Sequence, residues 1–89
     1  MMLDLSNVIP HTLTRLKKLT PGQGLVLLTY KRDRFVRIVK DTDTTCTVTE
    51  SGFYHTTVQT DISQIKKQLK TLLKREFPRS RKVRIHPVD

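Results

Sequence analysis

Apolar residues along this chain recur at two different periods, and the switches between them outline the elements. Over residues 8–19, Val8, Ile9, Leu13, Leu16 and Leu19 stand three to four apart, the spacing of one helix face, and Pro10 suits the first turn of such a helix. This predicts a short first helix, stopped by Thr20-Pro21-Gly22-Gln23-Gly24 because proline and glycine both work against continuing it. Leu25–Tyr30 and Arg34–Lys40 are then β-branched, aromatic and apolar, and the polar break between them predicts a hairpin. With Arg32-Asp33 as a two-residue loop, Lys31 pairs with Arg34, Tyr30 with Phe35, Leu28 with Arg37, Leu27 with Ile38 and Val26 with Val39.

Asp41-Thr42-Asp43-Thr44 reads as a turn of short polar side chains. Thr45–Glu50 and Phe53–Thr60 alternate around Ser51-Gly52, which predicts a second hairpin with Thr49 beside Tyr54 and Val48 beside His55. Asp61 with Gln64 three residues on has the form of a capping box, and Ile62, Ile65, Leu69, Leu72, Leu73 and Phe77 form a helical stripe that Pro78 brings to an end. Lys82–His86 alternates once more, a short strand at a sheet edge or in a partner contact. The expected fold is α+β in a single domain over residues 1–89: a short N-terminal helix, a four-stranded antiparallel meander, a long amphipathic helix and a short C-terminal strand.

Composition narrows the class. Eighty-nine residues with 36% hydrophobic content suffice for one core and leave little for a deep cleft. Cys46 is the only cysteine and the N-terminus lacks the form of a signal peptide, which together point to the cytoplasm. The longest apolar run, Leu25–Leu28, is far short of the roughly 20 residues that span a bilayer, so no integral membrane association is expected. The net charge of +9 is uneven: +2 over residues 1–23, zero over 24–61, and +7 over 62–89, where nine basic residues face two acidic ones. A field of one sign confined to one segment attracts phosphate backbones.

On a wheel of about 100° per residue, Lys67, Lys70 and Lys74 share an arc of roughly 60° beside the buried stripe, whereas Lys66 lies nearer the apolar edge and suits a snorkelling role. Arg75, Arg79, Arg81, Lys82 and Arg84 continue the basic character past the helix, with guanidinium forks that match phosphate. An ordinary solvated face explains the same residues without a ligand. The first hairpin is apolar on both faces. If Leu25, Leu27, Val36 and Ile38 meet the helices, the other face carries Val26, Leu28, Tyr30, Phe35, Arg37 and Val39. That face is a subunit interface centred on Tyr30, Phe35 and Val39, a surface covered by another part of the chain, or a base-stacking platform with Arg37 beside the aromatics.

Catalytic signals are weak. His11, His55, His86 and Cys46 lack metal-ligand spacing, and Cys46 reads as a small buried residue, with His55 diagonal to it rather than opposite. Gly22 and Gly24 belong to a turn, and Asp33, Asp41, Asp43, Glu50 and Asp61 fall at turns or a cap. No catalytic residue, metal or cofactor is assigned.

The element order, with Leu25-Val26-Leu27-Leu28-Thr29-Tyr30-Lys31-Arg32 leading into Val36-Arg37-Ile38-Val39-Lys40-Asp41, resembles the small Alu-domain subunits of the signal recognition particle over residues 10–77. The resemblance implies an α-β-β-β-α fold, dimers that pair sheet to sheet, and RNA bound through basic sheet residues, matched here by Lys31, Arg32 and Arg37. The chain departs from that pattern in an apparent fourth strand, a basic C-terminal strand and a strand region of no net charge. Lys66-Lys67-x-x-Lys70 also looks like the phosphate-binding lysines of the double-stranded-RNA-binding domain, without that domain's loop signatures. The functional expectation is a non-enzymatic nucleic-acid-binding module, for RNA rather than DNA, that uses the basic C-terminal helix and tail. The alternative is a homo-oligomeric protein-interaction module, a homodimer through the Tyr30 face, with no nucleic-acid role.

Overall fold

The computed structural model describes residues 1–52, 54–78 and 81–88. In chain order the elements are strand β1 (Met2–Asp4), helix α1 (Leu5–Lys18), strands β2 (Gly24–Thr29), β3 (Phe35–Lys40), β4 (Thr45–Ser51) and β5 (His55–Asp61), a 3₁₀ turn (Ile62–Gln64), helix α2 (Ile65–Glu76) and strand β6 (Lys82–Val88). The α+β class holds, but the expected four-stranded meander with an edge strand at the C-terminus does not. The strands form one six-stranded antiparallel sheet in the order β1-β6-β2-β3-β4-β5. β6 is interior, because the three residues of β1 pair along its outer side, Met2 with Arg84 and Asp4 with Lys82. Ile85 donates its N–H to the Met1 carbonyl at 2.8 Å. Pro87, two residues on, turns its nitrogen to the same side beyond the paired span of β1, where the missing donor breaks no ladder bond.

Both helices cover one face of this sheet. Val8 and Leu16 of α1 and Ile65, Leu69, Leu72, Leu73 and Phe77 at α2 meet Leu25, Leu27, Val36, Ile38, Cys46, Val48, Val83 and Ile85, all buried. The expected stripe of the second helix is therefore the buried one. Its start differs, since Asp61 makes no side-chain capping bond and a 3₁₀ turn intervenes before Ile65. α1 begins at Leu5 rather than residue 8, which moves Pro10 out of the first turn.

Both hairpin registers differ from expectation. In the first, Leu28 pairs with Phe35 and Leu25 with Ile38, because the loop runs over four residues, 30–33. Thr29 organises it, accepting from the Arg32 N–H and donating its hydroxyl to Asp33 at 2.6 Å, while Arg32 takes a left-handed φ of 63°. The slip is by two residues, which preserves the face of every side chain. In the second hairpin Val48 pairs with Val58 and Ser51 with His55. That odd-numbered slip moves His55 to the face opposite Cys46 and Val48.

A buried lysine ties α1 to the sheet. Lys40, at the end of β3 and 5% exposed, donates from Nζ to the carbonyls of Leu16 (3.1 Å) and Leu19 (2.9 Å). Both carbonyls lie at the negative end of the helix dipole, where a cation and a further donor are favourable. Lys40→Met keeps the stem and removes the donor, and is expected to destabilise the fold by about 2 kcal/mol, read as a lower urea midpoint.

Candidate nucleic-acid interface

The two helices run antiparallel across the sheet, as their end contacts show. Leu5 at the start of α1 donates to the Arg81 carbonyl beside the start of β6, and α1 finishes at Lys40. Ile62, just before α2, donates to the Thr44 carbonyl near that same end of the sheet, and α2 finishes where Arg34 Nη1 reaches the Glu76 carbonyl. The last turn of α1, with Arg15, Lys17 and Lys18, thus shares one end of the molecule with the first turn of α2, with Lys66 and Lys67. Lys70 and Lys74 continue along α2, about 10.5 Å separating Lys67 from Lys74 at 1.5 Å per residue. Lys17, Lys18, Lys66, Lys67, Lys70 and Lys74 are exposed and Arg15 partly so.

Acidic groups are missing from this layer. α1 contains no Asp or Glu, and α2 contains only Glu76, which is 1% exposed. Glu76 is turned into the second hairpin, where it accepts the Tyr54 N–H at 3.2 Å, and Gly52 makes room for it, since a Cβ there would fall 2.3 Å from Glu76 Oε1. The other cation of α2, Arg75, is engaged inward. It grips Glu50 bidentately, Nε at 2.8 Å and Nη2 at 2.5 Å, and its guanidinium lies 4.4 Å from the Tyr54 ring centre. Glu50 is 1% exposed. The Arg75 fork holds its carboxyl below the usual glutamate range against the opposing effect of burial, and the Thr56 hydroxyl donates a further hydrogen bond to it.

The expected nucleic-acid residues divide between two surfaces. Lys67, Lys70 and Lys74 lie on the helix layer, whereas Arg37, Lys82 and Arg84 point from the uncovered face of the sheet, opposite the helices. Lys82 is paired with Asp4 at 2.5 Å. Arg84 donates to the Tyr30 carbonyl at 3.0 Å with its guanidinium 4.9 Å from the Tyr30 ring centre, and Arg37 stands 5.4 Å from that of Phe35. Arg81 is exposed just ahead of β6, and Arg79 lies outside the described residues. Tyr30, Phe35 and Val39 share the uncovered face with Val26 and Leu28; Tyr30 is exposed and the other four half-buried. Sequence reasoning passed over Arg15, Lys17 and Lys18, although the +2 of residues 1–23 comes from them. Only the antiparallel seating of the helices brings them to the α2 lysines.

Cys46 is not set up as a nucleophile. Burial, then the nearby Asp41 and Asp61, pushes the Cys46 thiol up to about 11, which suppresses thiolate, and His55 projects from the other face. Among the described residues, no group of three His, Cys, Asp or Glu could hold a metal ion, and no helix is long and apolar enough to cross a membrane. Comparison with known protein families, characterised proteins and solved structures finds no match to this chain.

The Glu50–Arg75 pair has a testable pH signature. A carboxyl whose folded value is depressed contributes stability that is complete above its unfolded value, near 4.5, and is lost as pH falls through the lower folded value. The unfolding free energy is expected to drop more steeply below about pH 4.5 in the native chain than in Glu50→Gln. Arg75→Met, which strands the buried carboxylate, is expected to lower the urea midpoint at neutral pH, and Arg75→Lys to lower it less.

Proposed function

We propose that this chain is a non-enzymatic nucleic-acid-binding module whose contact surface is the helix layer. The observation that carries the reading is the segregation of charge: Arg15, Lys17, Lys18, Lys66, Lys67, Lys70 and Lys74 share a layer whose only carboxylate is buried. Cations scattered for solubility are ordinarily interspersed with acids, whereas a basic layer with no exposed acid on its helices builds the field that condenses on phosphate. The α2 lysines form a row of ammonium groups along one helix, and the basic last turn of α1 lies beside the start of that row, an arrangement that can follow a phosphate backbone with little demand on base sequence. The preference for RNA rests on the resemblance of the strand stretch around Lys31, Arg32 and Arg37.

Most of the affinity is then electrostatic. Replacing Lys67, Lys70 and Lys74 by Ala is expected to flatten the slope of log K against log salt by about two to three units, and Arg15, Lys17 and Lys18 by Ala to flatten it similarly. Lys82→Ser with Arg84→Ser, on the far face, is expected to leave the slope unchanged. Fluorescence anisotropy with short duplex and single-stranded RNA and DNA at several salt concentrations measures all three. A slope that responds only to the sheet-face pair excludes the helix layer.

A second reading is favoured by the uncovered sheet face, where Tyr30 is 59% exposed beside half-buried Val26, Leu28, Phe35 and Val39. An apolar, arginine-rimmed face of this kind suits a protein partner or a second copy. In that case Arg37→Glu disturbs assembly in sedimentation more than it changes nucleic-acid affinity.

A further inference from the structure

The sheet has two edges, and they are finished differently. β1 is three residues long and carries the Asp4–Lys82 ion pair at its side. β5 is seven residues, His55-Thr56-Thr57-Val58-Gln59-Thr60-Asp61, with no proline, lysine or arginine in it, and Val58 is 48% exposed. Long edges are ordinarily blunted by such residues, because an unpaired row of N–H and C=O groups is a template for another strand.

The direction of those free groups follows from the ladder. Ile62 donates its N–H to Thr44, so Ile62 and, by alternation, Thr60, Val58 and Thr56 direct their backbone groups to β4. His55, Thr57, Gln59 and Asp61 therefore direct theirs to the open edge. We infer that β5 pairs with β5 of a second copy, antiparallel about a two-fold axis at Val58, to form one continuous twelve-stranded sheet.

The sequence of β5 is self-complementary in that register. Thr57 exchanges both backbone hydrogen bonds with Gln59 of the second copy, and His55 does so with Asp61, in both directions about the axis. The acidic end of the strand thus lies beside the imidazole end of its mate twice over. Val58 meets Val58 as a pair without backbone bonds of its own, the closer-spaced kind, and each covers the other's exposed methyl groups. Moving the axis to Thr57 or Gln59 keeps a ladder but takes the carboxylate away from the imidazole. Placing it between residues sets edge-directed groups against inward-directed ones and yields no ladder. On the helix side a groove of about 410 Å³, floored by Val48, Val58 and Leu72 and rimmed by Lys67, Gln68 and Thr71, leaves room for the second strand's side chains.

Sedimentation velocity of the full chain over micromolar to millimolar concentrations tests this, at about 0.3 M salt to screen self-repulsion. The native chain is expected to dimerise. Val58→Lys, which opposes two ammonium groups across the axis, is expected to weaken the dimer at least about tenfold, and His55→Asp, which places Asp against Asp twice, about fivefold. The double variant His55→Asp, Asp61→Lys places opposite charges across the same pairs and is expected to bring the affinity back to at least the native level. Far-UV circular dichroism of each variant establishes that it folds. A native chain that stays monomeric at millimolar concentration overturns the inference, as does a dimer that survives Val58→Lys but is lost with Arg37→Glu.

Discussion

Glu50, a carboxylate sealed beneath a helix and gripped by Arg75, sets the arrangement on which the other features of α2 depend. An ionised carboxyl that is 1% exposed is tolerable only with a charge partner and filled hydrogen-bond positions. Arg75 and Thr56 supply them. Since Arg75 must face β4, the rotation of α2 about its axis is fixed, and the lysines at 66, 67, 70 and 74 are turned outward. The bond between Gln68 and Thr60, 3.0 Å, pins the same helix about two turns earlier. Hydrophobic burial alone would tolerate some rolling of the helix; the ion pair does not.

Charge is thereby sorted by layer. Glu50 and Glu76 are drawn inward and Arg75 goes with them, so the helix surface keeps lysines and loses carboxylates. The uncovered face of the sheet is different in kind. Its arginines lie over aromatic rings, Arg37 by Phe35 and Arg84 by Tyr30, and its lysine is matched with Asp4. Two basic surfaces of unequal character stand back to back with the core between them.

What could be read from sequence follows from how local the governing interaction is. The stripe from Ile65 to Phe77 and the two-sided apolar character of β2 and β3 depend on neighbours a few residues away, and both are visible in the periodicity. The inward and outward faces of the first hairpin survived a wrong register because the slip was even. The second hairpin slipped by an odd number, so His55 changed sides. β1 is too short to show any period, and nothing local tells β6 that its neighbours are residues 2–4 and 24–29. Asp61 has the look of a cap, yet its side chain makes no capping bond, because the chain enters α2 through a 3₁₀ turn tied to Thr44 instead. Of the functional candidates, the α2 lysines were legible as an arc on a wheel, while Arg15, Lys17 and Lys18 needed the antiparallel helix pairing to join them.

The interior place of β6 also dictates an order of assembly. The hairpins from β2 to β5 join segments close in sequence and can form early, but β2 meets β6 across nearly sixty residues, Leu27 opposite Ile85. Until residues 82–88 arrive, β2 stands as a raw margin and the underside of α1 has no Val83 or Ile85 to rest on. Contacts of such long range slow the search for the native state and leave sticky intermediates in the meantime. A ribosome that released the chain at Pro78 would produce a polypeptide holding most of the sequence but not the strand that joins β1 to β2.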